Sequence, residues 1–139
     1  MSTIRPKPTP TLVPKDSCPC AGATLDKLLQ PAILALLTRR PLHGYVIFQR
    51  LADVPGLEST PPDATGIYRH LKSMERRGLL QSSWYLSASG PARRQYRLTS
   101  RGRKCLAAWI DTLRTYHTNI GKLEAFAAAS LAGRRVRGS

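Results

Sequence analysis

Apolar positions recur along this chain at more than one period, and each period predicts an element. Ile33, Leu34, Leu36 and Leu37 crowd two turns behind Pro31, which suits a first helical turn, and Pro41 forbids continuation; a helix buried on most sides is predicted over Gln30 to Arg39. Leu25, Leu28 and Leu29 precede it and fit a short helix capped by Thr24. From His43 to Ala52 the spacing is again helical, with Tyr45, Phe48 and Ala52 on one stripe and Ile47 and Leu51 beside it. The third helix has an explicit start: Thr60 as cap, Pro61 at the first helical position and Asp63 completing an S/T-x-x-D box. Ile67, Leu71 and Met74 fall at i, i+4 and i+7 and define its core face. Thr65, Tyr68, Arg69, Lys72 and Arg76 share the opposite, polar side.

Gly78 ends that helix, Leu79 and Leu80 return to the core, and the period drops to two. Ser82, Trp84 and Leu86 alternate with Ser83 and Tyr85 as a half-buried strand does, a Ser/Gly/Pro loop covers Ser87 to Ala92, and Arg93 to Leu98 alternates back. This is a hairpin with a basic rim. Thr99 then caps a long helix in which Leu106, Trp109, Leu113, Tyr116, Ile120, Leu123 and Ala127 are separated alternately by three and four, a heptad seam. A seam of that length exceeds what one small core uses, so part of it is expected to form a dimer interface. Gly121 is a candidate bend.

The 139 residues suit one compact unit with loose ends. The expected organisation is a flexible basic arm over 1–23, one domain of helices and hairpin over 24–104, a dimerisation helix over 105–130 and a basic tail over 131–139. Pro6, Pro8, Pro10 and Pro14 keep the arm from helix formation, and Arg134, Arg135 and Arg137 charge the tail. The longest apolar stretch, Pro31 to Leu37, is far short of the roughly 20 residues that span a bilayer, so no membrane partner is expected. The N-terminus lacks a secretory pattern and three cysteines make no disulfide scaffold, which points to the cytoplasm.

Lys and Arg number 22 against 8 acids, a formal charge of +14, so a polyanion is the obvious partner. The charge is also concentrated: from Arg69 to Lys104 there are ten basic residues and one acid, Glu75. Helix, helix, exposed basic helix and basic hairpin together predict a mainly α (α+β) winged helix-turn-helix with a long C-terminal dimerisation helix. In that arrangement Arg69, Lys72 and Arg76 neutralise phosphates of double-stranded DNA. Thr65 and Tyr68 meet base edges, and Arg93 and Arg94 touch the flanking backbone or minor groove. No nucleophilic triad, phosphate-cradling loop or paired carboxylate motif is present, and an enzyme is not expected.

Pro31-Ala-Ile-Leu-Ala-Leu-Leu, Pro41-Leu-His-Gly-Tyr45, Gly66-Ile-Tyr-Arg-His-Leu-Lys72, Gly78-Leu-Leu80 and Gln95-Tyr-Arg-Leu-Thr99 with Gly102 resemble, in that order, the PadR family of winged-helix regulators. The resemblance covers about residues 25 to 115. It implies a homodimeric repressor, joined mainly through the C-terminal helix and bound to an operator with dyad symmetry, with the short C-terminal region of the smaller members. The entry Pro61-Pro62-Asp63-Ala64 departs from the family's commoner Ser-Pro-Gly-Thr type, which bears on base specificity rather than fold. His43, Gly44 and Tyr45 read as structural, with Gly44 permitting close packing and Tyr45 packing or touching phosphate.

The dimer seam is assigned to Leu106, Trp109, Leu113, Tyr116, Ile120 and Leu123, with His117 beside it. Packing is preferred over a flat ligand sandwiched at Trp109 and Tyr116. No cofactor is expected. Two other readings stand beside the regulator: a thiol- or metal-responsive sensor using the C-x-C pair Cys18 and Cys20 with Cys105, and a non-specific nucleic-acid-binding architectural protein. The releasing signal, a small-molecule or redox effector, is left open.

Overall fold

A computed structural model describes residues 28–57, 63–86, 90 and 92–133. The proposed arm, Thr24, Leu25, Cys18, Cys20, Thr60, Pro61 and the arginines of the tail lie outside the described residues. Among the described residues seven elements follow in chain order: α1 (Leu29–Leu36), β1 (Leu42–His43), α2 (Gly44–Leu51), α3 (Ala64–Arg76), β2 (Leu80–Tyr85), β3 (Arg93–Leu98) and α4 (Ser100–Leu131). The three strands form one antiparallel sheet in the order β1-β3-β2.

The first helix stops three residues before the predicted Arg39. Its last turn tightens: the Leu37 N–H reaches both Ile33 and Leu34 carbonyls, and Thr38 uses its backbone N–H and its hydroxyl on the Ala35 carbonyl. Arg40, which precedes Pro41, is also pushed away from helical geometry by the proline ring. The run read as one helix from His43 begins a residue later, because Leu42 and His43 pair with Tyr96 and Gln95 as a short strand. In α2 the buried stripe is Gly44, Ile47 and Leu51, whereas Tyr45 and Ala52 are exposed. Tyr45 and Ala52 therefore stand on the outer edge of the helix, while Phe48 is half-buried against the core.

The start of α3 also differs from the expected box. Asp63 itself is the N-cap, extended at φ −86° and ψ 158°, and its Oδ1 accepts the Gly66 N–H at 2.7 Å. At the other end Gly78, at φ +79°, closes a Schellman motif in which its N–H reaches the Glu75 carbonyl and Leu79 N–H reaches Met74. Ile67, Leu71 and Met74 are buried as expected and join Ile33, Leu34, Ile47 and Leu51 in a single core. Burying each of these side chains stabilises the fold by roughly 1.5–3 kcal/mol.

Thr99 ties α4 to this core. Its Oγ1 accepts the Gly102 N–H at 2.9 Å, and the same hydroxyl donates toward the carbonyl oxygens of Gly78 and Leu79, 2.7 and 3.0 Å away. Gly102 is buried beneath that cap. The helix begins at Ser100, directly after the predicted Thr99 cap, and runs unbroken through Gly121. Leu106 and Trp109 are half-buried against the core, Leu113 is half-buried, and Tyr116, Ile120, Leu123 and Phe126 are exposed. No helix among the described residues is long and apolar enough to cross a membrane.

Candidate nucleic-acid interface

The polar side of α3 is set by its own periodicity. With Ile67, Leu71 and Met74 turned inward, Thr65, Tyr68, Arg69, Lys72 and Arg76 all stand exposed on the outer side. Among the described residues, no hydrogen bond or ion pair to the side chains of Arg69, Lys72, Arg76 or Arg93 is present. Four cationic groups thus face solvent with their donors free, the arrangement that neutralises a phosphate backbone.

Tyr68 is held by a contact that runs between two of the sequence motifs. Its ring lies over Gly44, so closely that a β-carbon on Gly44 would stand 2.8 Å from Tyr68 Cε1. The glycine of the Pro-Leu-His-Gly-Tyr motif therefore makes room for the tyrosine of α3, a pairing that spacing along the chain gives no hint of. Because Tyr68 keeps 45% of its surface exposed, the ring is able to swing aside if displaced. Gly44→Ala is expected to leave the melting temperature within a few degrees of wild type, a change of under about 1 kcal/mol. DNA affinity should nonetheless fall about tenfold, as for one lost specific contact. Thermal melting beside fluorescence anisotropy on labelled duplex separates the two effects.

The hairpin of β2 and β3 is the wing. Beyond Leu80 and Ser82 it extends past the core, so Trp84, Tyr85 and Leu86 are exposed although alternation predicted one half-buried row. Arg94 and Arg93, predicted as equivalent contacts, differ. Arg94 Nε donates to Ser82 Oγ at 3.0 Å, its Nη2 lies 3.9 Å from Glu75 Oε1, and its guanidinium stands 5.6 Å from the centroid of the Trp84 ring. Glu75 Oε2 in turn accepts from the Ser82 N–H at 3.2 Å and from the Ser82 hydroxyl at 2.5 Å. Charge made Glu75 conspicuous in the sequence; nothing there marked Ser82 as its partner.

A cleft of about 410 Å³ between α3 and the wing is lined by Tyr68, Lys72, Glu75, Arg76, Arg94 and Tyr96. Burial raises the Tyr96 hydroxyl above its ordinary pKa of 10.0; Arg94 acts the other way, and Glu75 and Tyr68 add to the rise. Tyr96 is therefore neutral at physiological pH and contributes no charge to the cleft. A second opening of about 460 Å³ is lined by His43, Gly44, Tyr45, Tyr68, Arg93 and Arg94, so both clefts border Tyr68 and Arg94.

Cys105 is half-buried on α4, where the Gln30 Nε2 group lies 3.7 Å from its sulfur; Gln30 Oε1 accepts from Arg77 at 3.2 Å. Among the described residues, no three His, Cys, Asp or Glu side chains come together as a metal site.

The sequence profile of the transcriptional regulator PadR-like family matches residues 33–108, from within α1 through the first turns of α4. The chain belongs to the PadR-like family. Members of this family are transcription regulators rather than enzymes. The fold agrees: a Thermoplasma acidophilum protein assigned to transcriptional regulation is 28% identical with a TM-score of 0.63, over 73% of this chain and 94% of that one. A PadR family regulator from Eggerthella lenta is 26% identical with a TM-score of 0.59, over 75% and 91%. Bacillus subtilis PadR, solved in complex with operator DNA, is 25% identical with a TM-score of 0.54; the match covers 60% of this chain and 46% of that longer one. Among curated proteins none matches.

Proposed function

We propose that this PadR-like regulator represses transcription as a homodimer bound to an operator with dyad symmetry. The observation that carries the reading is the row of exposed, unpaired cations on α3, directly opposite the face that anchors the helix in the core. The likeness to a PadR protein solved on operator DNA supports the same role for α3 and the wing. In this reading α3 lies in the major groove, Thr65 and Tyr68 meet base edges, and Arg69, Lys72 and Arg76 hold phosphates. Arg93 and Arg94 reach the flanking backbone from the wing. Two such helices about 34 Å apart meet successive major grooves, so an effector that alters their spacing releases the operator.

The exposed seam of α4 supports dimerisation. Tyr116, Ile120, Leu123 and Phe126 stand open on one protomer, and burying such side chains stabilises an interface by about 1.5–3 kcal/mol each. Leu106 and Trp109, assigned to the same seam, already pack partly against their own core and serve the join between domain and helix. The protein acts in the cytoplasm and no cofactor enters this reading.

The test is binding to DNA upstream of the protein's own gene, at about 150 mM salt with excess unrelated duplex. Tight binding that survives the competitor supports a sequence-specific regulator. Binding of every duplex alike, lost equally to the competitor, favours the architectural alternative.

A further inference from the structure

Glu75 is the one acid between Arg69 and Lys104, and it stands where an acid is least expected. It follows Lys72 by three residues and Tyr68 by seven, which puts it on their side of α3 and in the cleft they line with Arg94. A carboxylate there repels the phosphates that its neighbours attract and weakens sequence-independent binding. Its side chain is nevertheless fully occupied. One oxygen takes two hydrogen bonds from Ser82 on β2, and the other faces the Arg94 guanidinium, which is itself bonded to Ser82 Oγ. Recognition helix, first wing strand and second wing strand thereby meet at one carboxylate.

We propose that Glu75 is a positioning residue for specificity: through Ser82 and Arg94 it holds the wing at a fixed setting against the recognition helix, at the cost of some general attraction for DNA. The inference rests on the DNA-binding reading above. The pair Ser82 and Tyr96, opposite one another in the β2–β3 ladder, carries the constraint into the sheet, because Tyr96 is buried and closes the floor of the same cleft. An arginine held by a carboxylate, a serine hydroxyl and the Trp84 ring presents its remaining donors from one place. A freed arginine follows whatever phosphate is near. Constraint of this kind favours the duplex whose groove fits the fixed setting and does little for one that does not.

The sign of the predicted effect separates this role from plain electrostatics. A DNA duplex enriched by the wild-type full-length chain from a random pool serves as the selected probe, and a shuffled duplex as the unrelated one. Wild type must first prefer the selected duplex; failure at that step removes the DNA-binding reading itself and is distinct from failure of this inference. In Glu75→Ala, affinity for the unrelated duplex is expected to rise severalfold while affinity for the selected duplex falls, so that their ratio drops about tenfold. Glu75→Gln keeps an acceptor for Ser82 and loses the charge opposite Arg94, and its ratio is expected to fall between the two. A merely structural role lowers the active fraction and leaves the ratio unchanged. An unchanged ratio, or both affinities rising together, overturns the proposal. Should the alanine variant not fold, the ratio measured for Glu75→Gln decides alone, a drop supporting the proposal and an unchanged value overturning it.

Discussion

Gly102→Ala lowers the melting temperature by about 12 °C, the largest stability loss expected from adding one methyl group to this fold. A β-carbon at Gly102 would stand 2.3 Å from the Leu79 carbonyl oxygen and 2.5 Å from Leu98 Cδ1. Leu98 can turn aside, but the carbonyl belongs to the backbone, and it is the one that accepts both the Thr99 N–H and the Thr99 hydroxyl. Relief of the clash must therefore move the start of α4 away from the turn after α3 and stretch the bonds that dock it. Overpacking of that kind costs about 3 kcal/mol, and at about 4 °C per kcal/mol this gives the stated shift. Calorimetry measures it directly. A loss under about 4 °C would mean that the helix start is not clamped as described.

Ile120→Asp with Leu123→Asp has the opposite profile: the fold survives and the assembly does not. Both side chains are 64% exposed on the single chain, so replacing them takes no contact from the core. In the proposed dimer they lie in the seam, and two charges per protomer placed there cannot be desolvated without partners. Sedimentation is expected to show wild type at twice the 15.3 kDa chain mass and the double variant at the chain mass. Operator affinity falls by about a thousandfold, because the second half-site is no longer delivered at high effective concentration. A variant that remains dimeric locates the interface away from the C-terminal half of α4.

What the sequence disclosed depended on how many residues enforce each feature. The inner face of α3 was legible because Ile67, Leu71 and Met74 repeat a helical period over a long amphipathic segment, and burial leaves no other orientation for them. The start of α4 was legible through Thr99 and its cap. Two residues cannot establish a period, and β1 exists only because Tyr96 and Gln95 offer their backbone edge to Leu42 and His43. The helical run that follows absorbed it. Alternation marks β2 in the sequence, yet Trp84 is 63% exposed, since alternation reports which side a residue faces and not whether anything covers that side.

The interface shows the same division. Exposure of Thr65, Tyr68, Arg69, Lys72 and Arg76 follows from the burial of their neighbours, so those positions could be named in advance. Contacts between elements distant in sequence could not: Tyr68 over Gly44, and Glu75 to Ser82 and Arg94, depend on how α2, α3 and the wing come together. Arg94 illustrates the difference most clearly. Composition makes it the equal of Arg93, while the fold gives it three partners and leaves Arg93 facing solvent.

The measurement that bears most directly on the proposed role is the affinity of wild type and of Tyr68→Ala with Arg69→Ala for a selected and a shuffled duplex, by anisotropy at about 150 mM salt. Wild type is predicted to prefer the selected duplex by about a thousandfold or more, and the double variant, still folded because both side chains are exposed, to lose most of that preference. A double variant that discriminates as well as wild type would contradict the assignment of α3 as the reading helix.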